Sequence, residues 1–191
     1  MRSLVIVLSV FVAGLTGCTL VSTATPDPEP GVAIQGKVHG GQQPISGAHI
    51  YMMQAGTSGS ASYGIAASSS NASVSLLNSA ATGHSDAVGA YVLTAADGSF
   101  ALPSGYTCTP GTQVCLYSLG GNPGAGVNSN AGLLAALGNC PAGSANNFDS
   151  SLSFVWINEA TTVAAAYAIA GYATDATHVS SSGSTLAKTG I

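Results

Sequence analysis

The chain has 191 residues, of which only three are Lys or Arg and seven are Asp or Glu, so its formal net charge is −4. So few cations exclude a nucleic-acid-binding protein and a polybasic membrane-surface binder, because both need a basic surface. With 31 Ala, 26 Ser and 25 Gly and a mean hydropathy of +0.39, the chain is expected to be ordered, with a neutral, hydroxyl-rich surface.

Residues 1–17 have the pattern of an export signal. A positively charged start, MRS, precedes an apolar run over residues 4–12 that is too short to span a bilayer. The signal ends in LTGC at residues 15–18, which resembles the lipobox of bacterial lipoproteins. The resemblance implies cleavage before Cys18, a diacylglycerol thioether on its sulfur and acylation of the new amino terminus. An ordinary secretory signal with an incidental Cys18 is the alternative.

The segment after the signal, residues 18–31, is expected to be a spacer. Thr19 rather than Asp follows the cysteine, which by the same resemblance implies the outer membrane or the cell surface. Pro26, Pro28 and Pro30 alternate with acidic residues, and such a sequence favours an extended, semi-rigid conformation. The spacer would lift the following domain off the lipid.

From residue 32 onward the hydropathy alternates with period two, which is typical of a half-buried strand. Val32, Ile34, Gly36 and Val38 share one predicted face. A Gly- and Pro-rich turn follows at residues 40–44. After the turn, two alternating sets share opposite faces: Ala48, Ile50 and Met52 on one, and His49, Tyr51 and Met53 on the other. These two strands are expected to form a hairpin or to connect two sheets.

Further short strands are predicted along the middle of the chain, after a Gly-, Ser- and Ala-rich loop over residues 56–73. Their predicted ranges are 74–77, 90–94, 99–102, 113–119 and 152–157. Asp97-Gly98 between two of them is a tight-turn signal that requires positive φ. Six or seven short strands separated by turns predict a mostly β fold of the sandwich type.

Three short motifs carry a family resemblance: Gly36-x-Val38, PISGAHI at 44–50 and TAADGSF at 94–100. They resemble the carboxypeptidase regulatory-like domain, a seven-stranded Ig-like, transthyretin-like sandwich that is also seen in collagen-adhesin B-type repeats. The resemblance covers about residues 32–119 and departs from the family at Ala95, where an acid is usual. It implies a non-catalytic extracellular module with a spacer or adhesive role.

Two short helices are expected to be added to this sandwich. The first lies near residues 128–138, with Asn128 as N-cap, an apolar stripe and Gly138 as terminator; the stripe consists of Leu133, Leu134 and Leu137. The second begins at Asn158 and stops near Gly171. Its predicted stripe consists of Val163, Ala166, Tyr167 and Ala170.

The predicted domains are therefore the signal, the spacer, a β-sandwich over residues 32–157 and an Ala-rich helix with its tail over residues 158–191. No evident terminating element precedes Ile191. This leaves open that the chain is a fragment of a longer secreted protein.

No catalytic, metal or nucleotide motif is complete. GHSDA at residues 83–87 resembles a nucleophile elbow, but Ala87 replaces its last glycine. The Gly-rich run at 120–126 lacks the Lys and Ser or Thr of a phosphate-binding loop. The four histidines lack metal-ligand spacing, although His39 and His49 would face each other across a hairpin. The sequence therefore predicts neither an enzyme nor a cofactor.

Collagen-adhesin-type domains can carry an isopeptide bond between Lys and Asn or Asp, with a nearby acid as catalyst. Lys37 on the first strand, with Asn158 and Glu159 after the last, supplies the matching residue types. The alternative is that Lys37 is an exposed strand residue.

Trp156 and Tyr117 are the predicted members of a ligand platform. Aromatic faces stack on sugar rings, and hydroxyl-rich neighbours form hydrogen bonds with them. Tyr and Trp are equally normal in a sandwich core that leaves a polar tip accessible. The sequence does not show whether the two rings share an exposed face.

Three cysteines follow the lipobox, and in an oxidising compartment one pair is expected to form a disulfide. Cys115 lies in an apolar strand, where a thiol behaves as a small hydrophobe, whereas Cys108 and Cys140 lie in predicted loops. A bond from residue 108 to residue 115 would fold a tight loop back onto a strand. The sequence therefore predicts the pair Cys108–Cys140.

These features together favour an exported, surface-exposed, lipid-anchored β-sandwich module with a structural or adhesive role. Its expected partners are the membrane, through the lipid on Cys18, and an extracellular glycan or protein. The alternatives are an extracellular carbohydrate-binding module and an accessory domain of a longer secreted protein.

Overall fold

A computed structural model describes residues 32–56, 69, 71–143, 145–149 and 151–180. The predicted signal, Cys18, the spacer, most of the predicted loop over 56–73 and the tail from residue 181 lie outside the described residues. Within them the structure is mostly β, with eleven strands in three sheets and two helices. Four of these strands have only two residues.

The strands, in chain order, are β1 (Val32–Gly40), β2 (Gln43–Pro44), β3 (His49–Gln54), β4 (Val74–Ser75), β5 (Val92–Leu93), β6 (Ser99–Pro103), β7 (Gln113–Leu119), β8 (Gly132–Asn139), β9 (Phe154–Ile157), β10 (Ala173–Asp175) and β11 (His178–Val179). The helices are α1 (Ser79–Thr82) and α2 (Glu159–Ile169). Neither described helix is long and apolar enough to cross a membrane.

Sheet 1 is built around β1, which pairs antiparallel with β2 and β6 and parallel with β9. Sheet 2 has the order β4-β3-β7-β8, and β5 also pairs with β3. The two-stranded β10–β11 sheet is separate from both. Because β1 and β3 belong to different sheets, they do not form a hairpin with each other. The chain makes a short β1–β2 hairpin and then crosses to sheet 2, which is the cross-sheet connection that the sequence allowed.

The inward faces of sheets 1 and 2 share one apolar core. Its largest fully buried side chains include Ile34, Val38, Ile50, Met52, Leu102, Leu116 and Ile157. In β1 the predicted alternation is confirmed at Ile34, Gly36 and Val38, all of which are buried. The period-two pattern of the sequence thus gives the inward face of β1 its apolar character.

Strand β3 departs from the predicted alternation, because it is buried on both faces. Tyr51 is fully buried and Met53 nearly so, although both lie on its predicted polar face. The Tyr51 ring packs against the rings of Tyr91 and Tyr117, and a second apolar cluster lies on this outer side of sheet 2. It consists of Ala55, Cys115, Leu134, Ala165, Ala168, Ile169 and Val179. A strand between two layers needs no polar face, which explains the difference.

The helix predicted near residues 128–138 is wrong, since this segment contains strand β8, which pairs antiparallel with β7. Gly138, predicted as the helix terminator, has φ +96° and lies where the register shifts by one residue, as in a β-bulge. The Leu and Ala spacing suits either structure locally. Pairing with the otherwise free edge of β7 decides in favour of the strand.

The predicted start of α2 is confirmed. The Asn158 side chain accepts a hydrogen bond from the Thr161 backbone N–H, and the Thr161 hydroxyl accepts one from the Asn158 N–H. This reciprocal pair is a capping box. The predicted apolar stripe is not the packing face, because Val163 is 70% and Tyr167 75% exposed. Ala165, Ala168 and Ile169 are buried against sheet 2 instead, and the two alanines let the helix approach it closely.

Candidate functional site

The disulfide prediction is confirmed, because the structure joins Cys108 to Cys140 with their Cα atoms 5.9 Å apart. Cys115 is buried in β7 as a free thiol. Burial raises the pKa of this thiol to about 12, so it stays protonated and acts as an apolar side chain. The bridge ties the segment before β7 to the end of β8.

Trp156 lies on the outer face of sheet 1, at its edge strand β9. Parallel pairing places it beside Lys37 of β1. Its ring centroid lies 5.2 Å from that of His39 and 5.5 Å from that of Phe154, both in edge-to-face contact. The indole is 41% exposed. An exposed indole with a cation and an imidazole beside it is a surface on which a ligand can stack and form hydrogen bonds.

A groove of about 650 Å³ adjoins this patch, between α2 and strands β8 and β9. Aromatic rings line it at Phe154, Trp156 and Tyr167, and small residues of α2 form the opposite wall. Most of the remaining lining is aliphatic, including Leu137 and Leu152. The groove and the patch together are called the Trp156 surface below.

Tyr117, the other predicted platform residue, lies on sheet 2 and is not part of the Trp156 surface. Its ring stacks on that of Tyr51, with centroids 6.1 Å apart. It lines a separate cavity of about 370 Å³ together with Asp175. Burial, and then the negative charge of Asp175, raises the pKa of Tyr117. The predicted pair of aromatic residues is therefore divided between two sites.

A cluster of polar and aromatic side chains around Asp86 was not predicted. The Tyr51 hydroxyl donates to Asp86 Oδ2 at 2.6 Å, and His49 Nδ1 lies 3.3 Å from the same oxygen. Asp86 Oδ1 accepts from the backbone N–H groups of Val88 and Gly89 at 2.8 and 3.3 Å. Burial raises the pKa of the Asp86 carboxyl, but these hydrogen bonds outweigh it and lower the pKa overall.

Three rings form a stack, and one of them, His49, contacts this carboxylate. The rings of His49 and Tyr91 are nearly parallel, with centroids 3.8 Å apart, and His84 stacks on Tyr91 at 5.4 Å. The stack holds the segment that carries His84 and Asp86 against β3. The sequence places His49 on the outward face of its strand, and this is the one sequence feature that indicates the Asp86 cluster. The contact with residues 84–91 is long-range and left no local pattern.

The GHSDA segment does not have the structure of a nucleophile elbow. Gly83 caps α1 with φ +74°, Ser85 forms an isolated bridge with Ala90, and Asp86 begins a turn. No strand leads directly into a helix at the serine, as the elbow requires. The Gly-rich run at 120–126 precedes strand β8 and not a helix, so it provides no helix N-terminus for a phosphate.

The other candidate groups also have structural partners. Lys37 Nζ donates to Asp97 Oδ2 at 2.9 Å, the Asn158 side chain accepts from the Thr161 N–H and Glu159 accepts from the Gly41 N–H, so the residues proposed for an isopeptide bond are each engaged with other groups. His39 belongs to sheet 1 and His49 to sheet 2, so they do not face each other across a hairpin. Within the described ranges, no group of three His, Cys, Asp or Glu side chains is placed to hold a metal ion.

The Trp156 surface is the most exposed aromatic site of the described residues, and the side chains around it leave room for a ligand. The Asp86 cluster, in contrast, uses its hydrogen bonds within the protein.

Comparisons of this chain with protein-family models, curated proteins and solved structures find no match.

Proposed function

We propose that this chain is a lipid-anchored, non-catalytic β-sandwich module that acts at the cell surface in a structural or adhesive role. The lipobox at residues 15–18 supports the anchor, and the three family motifs support a seven-stranded, transthyretin-like sandwich. The shared core between sheets 1 and 2 is compatible with such a sandwich. The Pro-rich spacer would separate the module from the membrane.

The Trp156 surface carries the adhesive part of the proposal. A large aromatic side chain that is 41% exposed loses apolar contact with water when a partner covers it. Interfaces are enriched in such residues, and tryptophan most often dominates their binding energy. Tyr167, 75% exposed on the other side of the groove, extends the same surface.

The non-catalytic part is supported by how the titratable side chains are used. Asp86 fixes a turn and accepts a hydrogen bond from the hydroxyl of buried Tyr51, and the His49 ring is stacked on that of Tyr91. These contacts attach residues 84–91 to sheet 2. Groups engaged in this way position a loop, whereas a general base needs access to a substrate proton.

The adhesive role is tested by replacing Trp156 with Ala and measuring attachment of cells that display the protein. We expect attachment to fall by at least about tenfold, the loss typical of an interface hot spot. Val127→Ala is the matched control, because Val127 is 81% exposed and lies away from the groove. Equal attachment by both variants and the native protein would contradict an adhesive role for this surface.

The anchor is tested separately with labelled fatty acid. Native protein should incorporate the label, whereas Cys18→Ser should remain unprocessed or become soluble. Native protein that takes up no fatty acid would show that the lipobox interpretation is wrong.

A carbohydrate-binding module is the second candidate, and the polar groups beside Trp156 favour it. Lys37 pairs across the strand from the indole, and His39 contacts its ring, so hydrogen-bonding groups flank a stacking face. Glycan-array binding that is lost in Trp156→Ala and kept in Val127→Ala would select this candidate. Attachment to protein-coated surfaces without glycan binding would select a protein partner.

A further inference from the structure

The cavity that contains Tyr117 has the form of a small-molecule site. Its volume of about 370 Å³ falls within the range of about 300–1,000 Å³ that is usual for such sites. It lies between α2, β8 and the β10–β11 pair, and most of its wall is aliphatic, including Leu133, Leu134, Ala166, Ile169 and Ala173. This wall suits the apolar body of a ligand.

The polar side chains of the cavity are few: Tyr117, Thr162, Thr174 and Asp175. Tyr117 contributes a phenol oxygen and Asp175 a carboxylate. A Cβ atom at Gly132 would lie 3.3 Å from the Tyr117 hydroxyl, so glycine at this position keeps the hydroxyl clear. The Thr162 hydroxyl is already engaged, since it accepts from the Leu134 N–H and donates to the Asn158 carbonyl.

The charge of the cavity is negative. Among the described residues Lys37 is the one Lys or Arg, and it binds Asp97 on sheet 1, against five acidic side chains. Burial raises the pKa of Asp175, but hydrogen bonds from His178 and Thr177 outweigh it and lower the pKa to about 2. The carboxylate is therefore ionised at neutral pH. His178 Nδ1 lies 2.9 and 3.0 Å from its two oxygens, so a ligand would share the carboxylate with this imidazole. The one described lysine is paired with Asp97 at sheet 1 and does not neutralise it, and such a field attracts cations.

We propose that this cavity binds a small organic amine with an apolar body. The ammonium group would donate hydrogen bonds to the Asp175 carboxylate and to the Tyr117 oxygen, and the Tyr117 ring would add a cation–π contact. The apolar body would lie against α2 and β8. This site is separate from the Trp156 surface and does not depend on the adhesive role.

Three probes of similar size test the class of ligand: 2-phenylethylamine, 2-phenylethanol and phenylacetate. Each is titrated into the mature chain at pH 8 and followed by NMR. We expect the amine to bind about tenfold more tightly than the alcohol, as for a hydrogen bond to a charged group. The acid should bind most weakly. Equal binding of the three, preference for the acid, or no binding of the amine would overturn the proposal.

Variants then locate the site. Asp175→Asn should remove the preference for the amine, and Tyr117→Phe should weaken amine binding severalfold. Asp149→Asn makes the same change in net charge at an exposed position outside the cavity, so it should leave binding unchanged. Equal effects of the two Asp→Asn variants would mean that the preference comes from overall charge, which contradicts the proposal.

A third variant keeps the test decisive if Asp175→Asn disturbs the β10–β11 pair. Ala166→Leu adds volume inside the cavity from an exposed position of α2 and leaves both polar groups in place. It should abolish binding of the amine and of the alcohol. Undiminished binding by this variant would show that the ligand lies elsewhere.

Discussion

Gly36 lies in the middle of β1, where neighbouring groups leave no room for a side chain. An added Cβ atom would lie 2.2 Å from the Phe100 ring and 2.4 Å from the Val155 carbonyl oxygen. Sheet 1 therefore closes around this position from both adjacent strands, β6 and β9. The sequence motif Gly36-x-Val38 thus has a steric reason, whichever family the chain belongs to.

We expect Gly36→Ala to lower the free energy of unfolding by about 2–3 kcal/mol, because overpacking forces strands apart. Urea unfolding followed by circular dichroism measures the change. Gly171→Ala is the control, since a Cβ atom there meets nothing within 4 Å. Equal stability of the two variants would show that β6 and β9 do not confine residue 36.

A second expectation at this scale concerns acid stability. The folded pKa of Asp175 is about 2, below the usual unfolded value of about 3.9. Its contribution is therefore fully present above about pH 4 and is lost as the pH falls through about 2. Asp175→Asn should be less stable than the native protein at pH 6, and the difference should shrink toward pH 2.

Urea unfolding at several pH values compares the two proteins. The difference should be modest, because the Asp175 side chain is about half exposed and solvent screens its hydrogen-bonded pair with His178. A difference that is constant from pH 6 to pH 2 would contradict the assigned hydrogen bonds.

Helix α2 shows how an element can have the predicted bounds and a different packing face. Its N-cap is determined locally by Asn158 and Thr161. Its buried side instead consists of Ala165, Ala168 and Ile169, which pack against sheet 2. Alanine allows the helix axis to approach the sheet, whereas the larger Val163 and Tyr167 remain on the solvent side.

Paired substitutions test this orientation. Ala165→Glu should lower the free energy of unfolding by about 3 kcal/mol or more, because it buries an unpaired charge. Val163→Glu should change it by less than about 0.5 kcal/mol, as is usual at exposed positions. Thermal or urea unfolding gives both values. A larger loss of stability in Val163→Glu than in Ala165→Glu would show that the helix packs through the apolar stripe predicted from the sequence.

At the scale of the whole molecule, one covalent link joins segments 32 residues apart in the chain. Removing it with Cys108→Ser and Cys140→Ser together should cost about 3–4 kcal/mol, from the loop-closure entropy of the unfolded chain. Unfolding in denaturant measures this cost. Cys115→Ala is the control and should cost less, because it removes only one small buried sulfur.

Peptide mapping without reductant provides the chemical check. It should recover one crosslinked pair containing residues 108 and 140 and a free thiol at Cys115. A crosslink that contains Cys115 would contradict both the sequence argument and the structure.

The strands that could be predicted are those with a strong local pattern. Strand β1 and strand β7 (Gln113–Leu119) have the expected bounds or nearly so, because alternation or a bounded apolar run specifies a strand without reference to the rest of the fold. The disulfide followed from the same reasoning, since one cysteine lay in a strand and two in loops. The start of α2 followed from its capping residues.

The sites were predicted less well, for a physical reason. Trp156 and Tyr117 are both aromatic residues in short apolar strand segments. Whether their two strands belong to one sheet depends on long-range pairing, which the local sequence does not specify. The Asp86 cluster joins residues 35 and 37 positions apart, so no window of sequence contains it. The segment containing β8 reads locally as a helix and becomes a strand only beside β7.

The sequence by itself thus determined the scarcity of charge, the period-two strands and the cysteine pairing, because each depends on residues close together or on composition. Tertiary structure decided which face of β3 and of α2 is buried, which aromatic rings share a surface, and where a carboxylate faces a cavity. Those properties arise when distant segments pack together, and packing depends on the shape and charge of every layer at once.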